Sequence, residues 1–216
     1  MIGQIQTFDY KTEVLRKLIH LTSLLIPIIY WHIPKDVALY ILVPLTLIAL
    51  IMDVGRFYVP AIRNFINTFF MFMLREHEKD QSKRNLNGAS YVLMSAVICV
   101  LIFPKLFFVT AFSILIISDT SAALIGRKFG KHKFLMKSLE GSLAFWISSM
   151  FVVLFSPKSQ YILEEYLIGF LAGLVAMFAE NLSYGWADDN FLIPLTSGFT
   201  MWGLYILYNI PIPSIK

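Results

Sequence analysis

The chain has 216 residues, 57% of them hydrophobic and only 15% charged, with a mean hydropathy of +0.69. So apolar a composition excludes an ordinary water-soluble domain, and the length holds about seven helices of roughly 20 residues with short loops and no second soluble domain. The formal charge of +4 does not point to nucleic acid, because Lys and Arg fall between apolar runs rather than along one helix face.

In chain order, apolar runs predict spans at about 16–33, 37–54, 89–103, 106–125, 139–155, 166–182 and 191–209, the third and fifth being short. The N-terminal residues, which include Asp9 and Glu13, lack an apolar stretch ending in a small-residue cleavage site, so the first span is expected to be its own insertion signal. Cys99 is the one cysteine and lies inside the third run, which excludes an intrachain disulfide. Between the second and third runs, Phe57, Ile62, Phe65, Ile66, Phe69, Phe70 and Met73 are spaced like one helix face, predicting an amphipathic helix that lies along the interface. A polar linker follows from Arg75 to Asn85. The expected architecture is all-α: a polytopic helical bundle with about seven transmembrane helices plus that interfacial helix, forming a single integral membrane domain over 1–216.

All but four of the 18 Lys and Arg residues then fall on one side of the bilayer, the exceptions being Lys35, Lys105, Lys158 and Lys216. This bias predicts a cytoplasmic N-terminus and cytoplasmic basic loops, with the C-terminus on the opposite side.

Charged groups within spans cost about 2.5–3.5 kcal/mol each on insertion scales, so each needs a partner, a wet cavity or a function. Asp119 follows Ile114-Leu-Ile-Ile-Ser deep in the fourth span, and Glu180, followed by Asn181, ends the sixth. Arg16, Lys17 and His20 open the first span, His20 one turn from Arg16 on the same face. Asp53 and Arg56, three apart, fit either a functional pair or a capping ion pair, and Asp189 with Asn190 fits either a site or a helix cap. All five groups sit at or near the predicted cytoplasmic ends of their helices. Four acids beside a basic loop are what a polyphosphate with a divalent metal requires, since oxygen ligands hold Mg²⁺ while Lys and Arg neutralise phosphate.

After Asp119 the loop reads Gly126-Arg-Lys-Phe-Gly-Lys-His-Lys-Phe-Leu-Met-Lys-Ser-Leu-Glu-Gly-Ser, glycines among cations, which is the composition of a phosphate-binding turn. It is not a Walker loop, because three residues rather than four separate Gly126 from Gly130 and Lys131-His follows. On physics alone the same cations also fit a loop that binds anionic lipid headgroups.

The run Asp119-Thr-Ser-Ala-Ala-Leu-Ile-Gly-Arg-Lys-Phe-Gly-Lys, with Lys137-Ser-Leu-Glu-Gly-Ser, resembles the hallmark of the CTP-dependent lipid kinases, a family that includes dolichol kinase, phytol kinase and yeast-type diacylglycerol kinase. Arg16-Lys-Leu-Ile-His, Asn87-Gly-Ala, and Glu180 followed by Asp189-Asn-Phe-Leu-Ile-Pro resemble the family's other motifs in the same order. The family is distantly similar to phosphatidate cytidylyltransferases, but the His-Gly-Gly and Asp-Arg ending of those enzymes is missing here. The resemblance implies a multi-pass protein of the bacterial cytoplasmic membrane or the endoplasmic reticulum. Its expected activity is transfer of the γ-phosphate of CTP, with Mg²⁺, to the hydroxyl of a membrane-embedded lipid alcohol, be it a polyprenol, phytol or diacylglycerol. Asp119 is then expected to hold metal or accept the hydroxyl proton. Glu180 and Lys137 are the other catalytic candidates, with Glu140 and Glu180 as second choices for the metal. Gly126, Arg127, Lys128, Gly130, Lys131, Ser138, Glu140, Gly141, Asp189 and Asn190 are expected on the nucleotide side, and Arg16, Lys17, His20, Asp53 and Asn87 on the acceptor side. A cytidylyltransferase and a small transporter or lipid-binding protein stand as rival readings, and oligomeric state is open.

Overall fold

The computed structural model describes residues 2–70, 85–183 and 188–212, with only the backbone path for residues 2–9 and 70. The expected linker from Arg75 to Arg84, and also Met73 and Lys216, lie outside the described residues. Nine helices occur among those described: α1 Ile2–Thr22, α2 Leu25–His32, α3 Lys35–Tyr58, α4 Pro60–Phe70, α5 Gly88–Ile102, α6 Lys105–Phe129, α7 Leu139–Phe155, α8 Leu163–Leu182 and α9 Asp189–Leu207. All seven predicted apolar runs are helical. Three segments are long and apolar enough to cross a membrane, Tyr10–His32, Lys35–Tyr58 and Lys105–Phe129, and α5 and α7 are shorter apolar helices.

Three details depart from the sequence reading. The first run is broken at Ser23–Leu24, because Pro27 lacks an N–H and its ring would meet the carbonyl of Ser23 in a continuous helix. The chain turns there through short bonds, Ser23 N to His20 O at 2.9 Å and Ile26 N to Ser23 O at 3.0 Å. The basic loop also contains a two-stranded antiparallel hairpin, β1 Lys133–Phe134 with β2 Lys137–Ser138, in register Lys133 to Ser138. The protein is otherwise all-α. The amphipathic helix is present but begins at Pro60, which suits a first helical position, while Phe57 belongs to α3.

Helix α6 is the axis. It packs against α1, α2, α5, α7 and α9, and Phe107, Phe108, Phe112, Ile114, Leu115 and Ile116 on it are fully buried. Phe107 meets Tyr205 edge-on at 4.8 Å, and Tyr30 meets Phe108 at 4.9 Å. The outward faces carry large apolar side chains, among them Tyr40, Ile51, Leu163 and an 87% exposed Phe155, a surface suited to lipid rather than water. Helices α7 and α8 approach closely through small residues: a Cβ on Gly169 would stand 2.4 Å from Val153 Cγ1, and one on Gly173 2.2 Å from Ser149 Oγ.

The end remote from the basic hairpin is closed by lysines on backbone carbonyls. Lys35 donates to Leu101 O at 2.8 Å and Lys105 to Ile33 O at 2.9 Å. Lys158 donates to Val153 O and Ser156 O beneath the ring of Tyr166. These cations satisfy carbonyls that helix termini leave without partners.

Gly169→Leu should lose about 1–3 kcal/mol by forcing α7 from α8. Gly203→Leu, where nothing lies within 4 Å of the added Cβ, should not; thermal unfolding in detergent compares them. Burial lowers Lys158 to about 8, against the opposing pull of Glu165. Between about pH 8 and the ordinary lysine value the unfolded chain therefore binds more protons, and stability rises with pH. Across that window the wild type should gain about 1–3 kcal/mol relative to Lys158→Met, read from unfolding at pH 7.5 and pH 10.

Candidate active site

At the hairpin end, helices carry their polar residues to one place. Asp119 lies on the buried axis and accepts a hydrogen bond from Lys17 of α1, 102 residues away in sequence. His20 Nε2 stands 3.6 Å from the same carboxylate oxygen. Both partners of the Lys17–Asp119 pair are buried. Such a pair is stable only when both members are present, and removing either one strands a charge.

On the other side of Asp119 stands Lys137, the first residue of β2, which binds the buried Glu180 of α8 and lies 3.6 Å from Asp189 of α9. Burial on its own would lower Lys137, but Asp189, Glu180 and Asp119 overrule it and raise the amine above the usual lysine value. Lys137 therefore remains a cation throughout the physiological range, and one lysine serves three carboxylates. Glu180 Oε2 is buried and has no hydrogen-bond partner, so one acceptor of this cluster keeps an uncompensated lone pair.

A cavity of about 510 Å³ opens beside this cluster, with Arg16, Lys17, His20, Asp119 and Asn190 at its polar end. Its body is apolar, built from Ile19 and Ile26 of α1 and α2, Met52 of α3, Phe65 and Ile66 of α4, and Val92 and Leu93 of α5. The amphipathic helix thus supplies a wall. Arg63 holds α4 in place by donating to the last carbonyls of α3, Arg56 O and Phe57 O, each at 3.1 Å.

Asp53 and Asn87 also line the cavity, and their bonds define a structural task. Asp53 accepts from Asn87 N at 2.7 Å and Ser90 Oγ at 2.8 Å and faces Arg56 Nε at 3.0 Å, while the Asn87 side chain caps α5 by accepting from Ser90 N. Asp188 is the N-cap of α9, accepting from Asn190 N at 2.9 Å; Asp189 Oδ1 shares that N–H at 3.0 Å, and its Oδ2 lies 3.6 Å from Lys137.

The hairpin is fixed to this floor by Asn181, whose Oδ1 accepts from Met136 N at 2.9 Å and whose Nδ2 donates to Ser142 Oγ at 2.7 Å. Leu135 at the tip has φ of 52°, a left-handed conformation unfavourable for leucine. Gly126, Gly130 and Gly141 close on one another about Ser138. A Cβ on Gly130 would meet Gly126 O at 2.3 Å, and one on Gly141 would meet Gly126 Cα at 3.2 Å. The space that these glycines leave is filled by the protein's own backbone, which brings the end of α6 against the start of α7. Arg127, Lys128 and Lys131 stand exposed around this turn. Glu140 pairs with His132 Nδ1 at 2.7 Å on the exposed side of the hairpin. Among the described residues no three His, Cys, Asp or Glu side chains form a ready metal cage.

Two contributors escape sequence reasoning. Asn181 reads as a neighbour of Glu180 but is the hairpin's anchor, and Glu13 reads as an ordinary N-terminal acid but is buried between two arginines. The rule that a buried polar side chain needs partners marks Asn181 beside Glu180 but does not name the hairpin as its partner.

The chain is 30% identical over 192 residues to an uncharacterized protein of Rickettsia prowazekii, spanning 88% of this chain and 94% of the relative, and it belongs to the same family. It is also 29% identical over 163 residues to CTP-dependent diacylglycerol kinase 1 of Schizosaccharomyces pombe, spanning 69% of this chain and 73% of that enzyme. That likeness suggests a membrane lipid kinase. No family model matches the chain. No solved structure matches it either.

Asn181→Ala strands the Met136 N–H and should cost about 1–3 kcal/mol. It should also loosen the hairpin, which faster amide exchange at Met136 would reveal against an unchanged rate in α5.

Proposed function

We propose that this member of the Rickettsia protein's family is a membrane lipid kinase that moves the γ-phosphoryl group of CTP to the hydroxyl of a lipid alcohol. The observation that carries the reading is the cavity, apolar along its body and headed by the Lys17–Asp119 pair. An amphiphile with a hydroxyl at one end and hydrocarbon below matches that polarity. CTP as donor rests on the likeness to the fission-yeast kinase.

In this reading the acceptor hydroxyl lies at the polar end of the cavity, oriented by Lys17 and Asp119. Arg127, Lys128, Lys131 and Lys137 neutralise the triphosphate from the hairpin side, and Arg16 lines the acceptor cavity. The bond from γ-phosphorus to the β-bridging oxygen breaks as the bond to the acceptor oxygen forms. The acceptor's proton passes to Asp119 or to His20 beside it, and CDP and a phospholipid leave. Catalysis is positioning and charge neutralisation, which suits phosphoryl transfer. Mg²⁺ in such sites is commonly held by one or two carboxylates plus the phosphates it accompanies. The chemistry fits at Glu180, whose Oε1 is held by Lys137 while Oε2 is buried without a hydrogen-bond partner, and at Asp189 beside the same lysine, with Asp119, held by Lys17, as a further carboxylate of the cluster. Bound there, the ion would neutralise charge between donor oxygens. The hairpin end faces the cytoplasm, since it carries the excess of Lys and Arg.

Purified protein given Mg²⁺, γ-labelled CTP and a panel of diacylglycerol, polyprenol and phytol should move label into one lipid. Asp119→Asn should reduce that rate at least about 100-fold. The double variant Lys17→Met with Asp119→Asn leaves neither member of the pair stranded and should stay folded yet inactive. Label entering phosphatidate from α-labelled CTP, with pyrophosphate released, would instead establish a cytidylyltransferase and overturn the kinase reading.

A further inference from the structure

The turn that breaks the first apolar run places a serine in the body of the cavity. Ser23 lies near the middle of the Tyr10–His32 segment and lines the cavity. Its N–H donates to His20 O at 2.9 Å, a bond that spans three residues. In such a 3₁₀ turn the side chains at the two ends eclipse, so Ser23 stands on the face of His20, about 6 Å further along the helix axis.

Hydroxyls within helices ordinarily return to a carbonyl one turn back. Ser95, Ser148 and Ser197 do so here, as do Thr46 and Thr110. Ser23 does not, and among the described residues its hydroxyl meets no partner. The carbonyl at that place, Ile19 O, accepts from Thr22 Oγ1 at 2.6 Å, and His20 O receives the Ser23 N–H. The hydroxyls of Ser113 and Ser118 also form no such bond, but neither residue lines the cavity. The other polar groups along the cavity body are engaged: Thr22 by Ile19 O, Asp53 by Asn87 N and Ser90 Oγ, and Asn87 Oδ1 by Ser90 N.

We infer that the Ser23 hydroxyl is a specificity-determining donor that binds an ester carbonyl of the acceptor lipid, so that the cavity takes an acylglycerol with a free hydroxyl in preference to a polyprenol or phytol. The inference rests on the kinase reading for which group is phosphorylated. With the acceptor hydroxyl at Lys17 and Asp119, the lipid below it passes His20 and then Ser23. An acylglycerol carries its first ester carbonyl within a few bonds of the free hydroxyl, a reach comparable to one helical turn. A polyprenol or phytol presents only hydrocarbon at that depth and leaves the serine hydroxyl against it without a partner. A site that hydrogen-bonds a substrate group discriminates against the analogue lacking that group, because its own polar atom is then stranded. Ser23 touches no reacting atom in this scheme. It selects the lipid and sets the depth at which the free hydroxyl meets Asp119.

The test pairs proteins with lipids. Wild type and Ser23→Ala, as full-length proteins in nanodiscs, are given a 1,2-diacylglycerol or the dialkyl ether of the same chain length, which keeps the free hydroxyl and lacks both carbonyls. Ser23→Ala should lose about fivefold in kcat/KM on the diester and less than about twofold on the diether, so that the loss follows the carbonyl. Ser23→Thr, which keeps the hydroxyl, should retain most of the wild-type preference for the diester. Equal losses on both lipids, or none on either in folded Ser23→Ala, overturn the inference, as does a wild type that prefers polyprenol or phytol. The same combinations are read without turnover as competition by each lipid against a photoreactive lipid alcohol that labels the cavity. If wild type phosphorylates no lipid, the kinase reading fails by itself and the competition decides: a diester advantage that Ser23→Ala removes upholds the role of Ser23, and equal competition by the two lipids, or no label in the cavity, overturns it. If Ser23→Ala does not fold, the wild-type comparison stands alone, and equal use of diester and diether overturns the inference.

Discussion

A carboxylate on the most buried helix of an apolar protein must be compensated locally, and this requirement organises the hairpin end of the molecule. Asp119 sits on α6 among side chains that are almost wholly inaccessible. An isolated ion there would cost many kcal/mol, and snorkelling is not open to so short a side chain. Lys17 supplies the compensation from α1, and the position of α1 against α6 is in that sense electrostatic as much as hydrophobic. His20 comes with the same helix face, and Arg16 follows it to the mouth of the cavity. Lys137 repeats the logic on the other flank, where Glu180 and Asp189 converge.

The two ends of the bundle use charge differently. At one end Lys35, Lys105 and Lys158 are each taken up by backbone carbonyls and complete helix termini. At the other, acids and cations from five helices and a hairpin meet beside a cavity, and one buried oxygen of Glu180 has no hydrogen-bond partner. The tight packing of Gly126, Gly130 and Gly141 about Ser138 holds the hairpin and its cations over the cluster.

Much of this was legible in the sequence because the bilayer constrains it so strongly. The seven apolar runs are all helical, the amphipathic stretch was recognised by its spacing though not its start at Pro60, and intramembrane acids stood out as residues needing partners. Which residue would meet which was not legible. Lys17 and Asp119 are 102 positions apart, and helical spacing relates only near neighbours. The hairpin escaped because its strands have two residues each and its turn, Leu135-Met136, has none of the Asn-Gly chemistry that marks such turns. Asp53 illustrates the opposite case: it looked like part of the site, and its bonds make it chiefly the support of the α5 N-terminus. Glu13 looked unremarkable because its burial depends on two arginines, one of them more than a hundred residues away.

Where the acceptor lies is the point on which the functional reading turns. A lipid alcohol carrying a photoreactive diazirine near its hydroxyl, crosslinked to the protein in a bilayer and mapped by mass spectrometry, locates it directly. Adducts at Ile19, Met52, Val92 or Leu93, suppressed by excess unmodified lipid, are the predicted result. Adducts confined to the outer faces of α7 and α8, with none in the cavity, would contradict it.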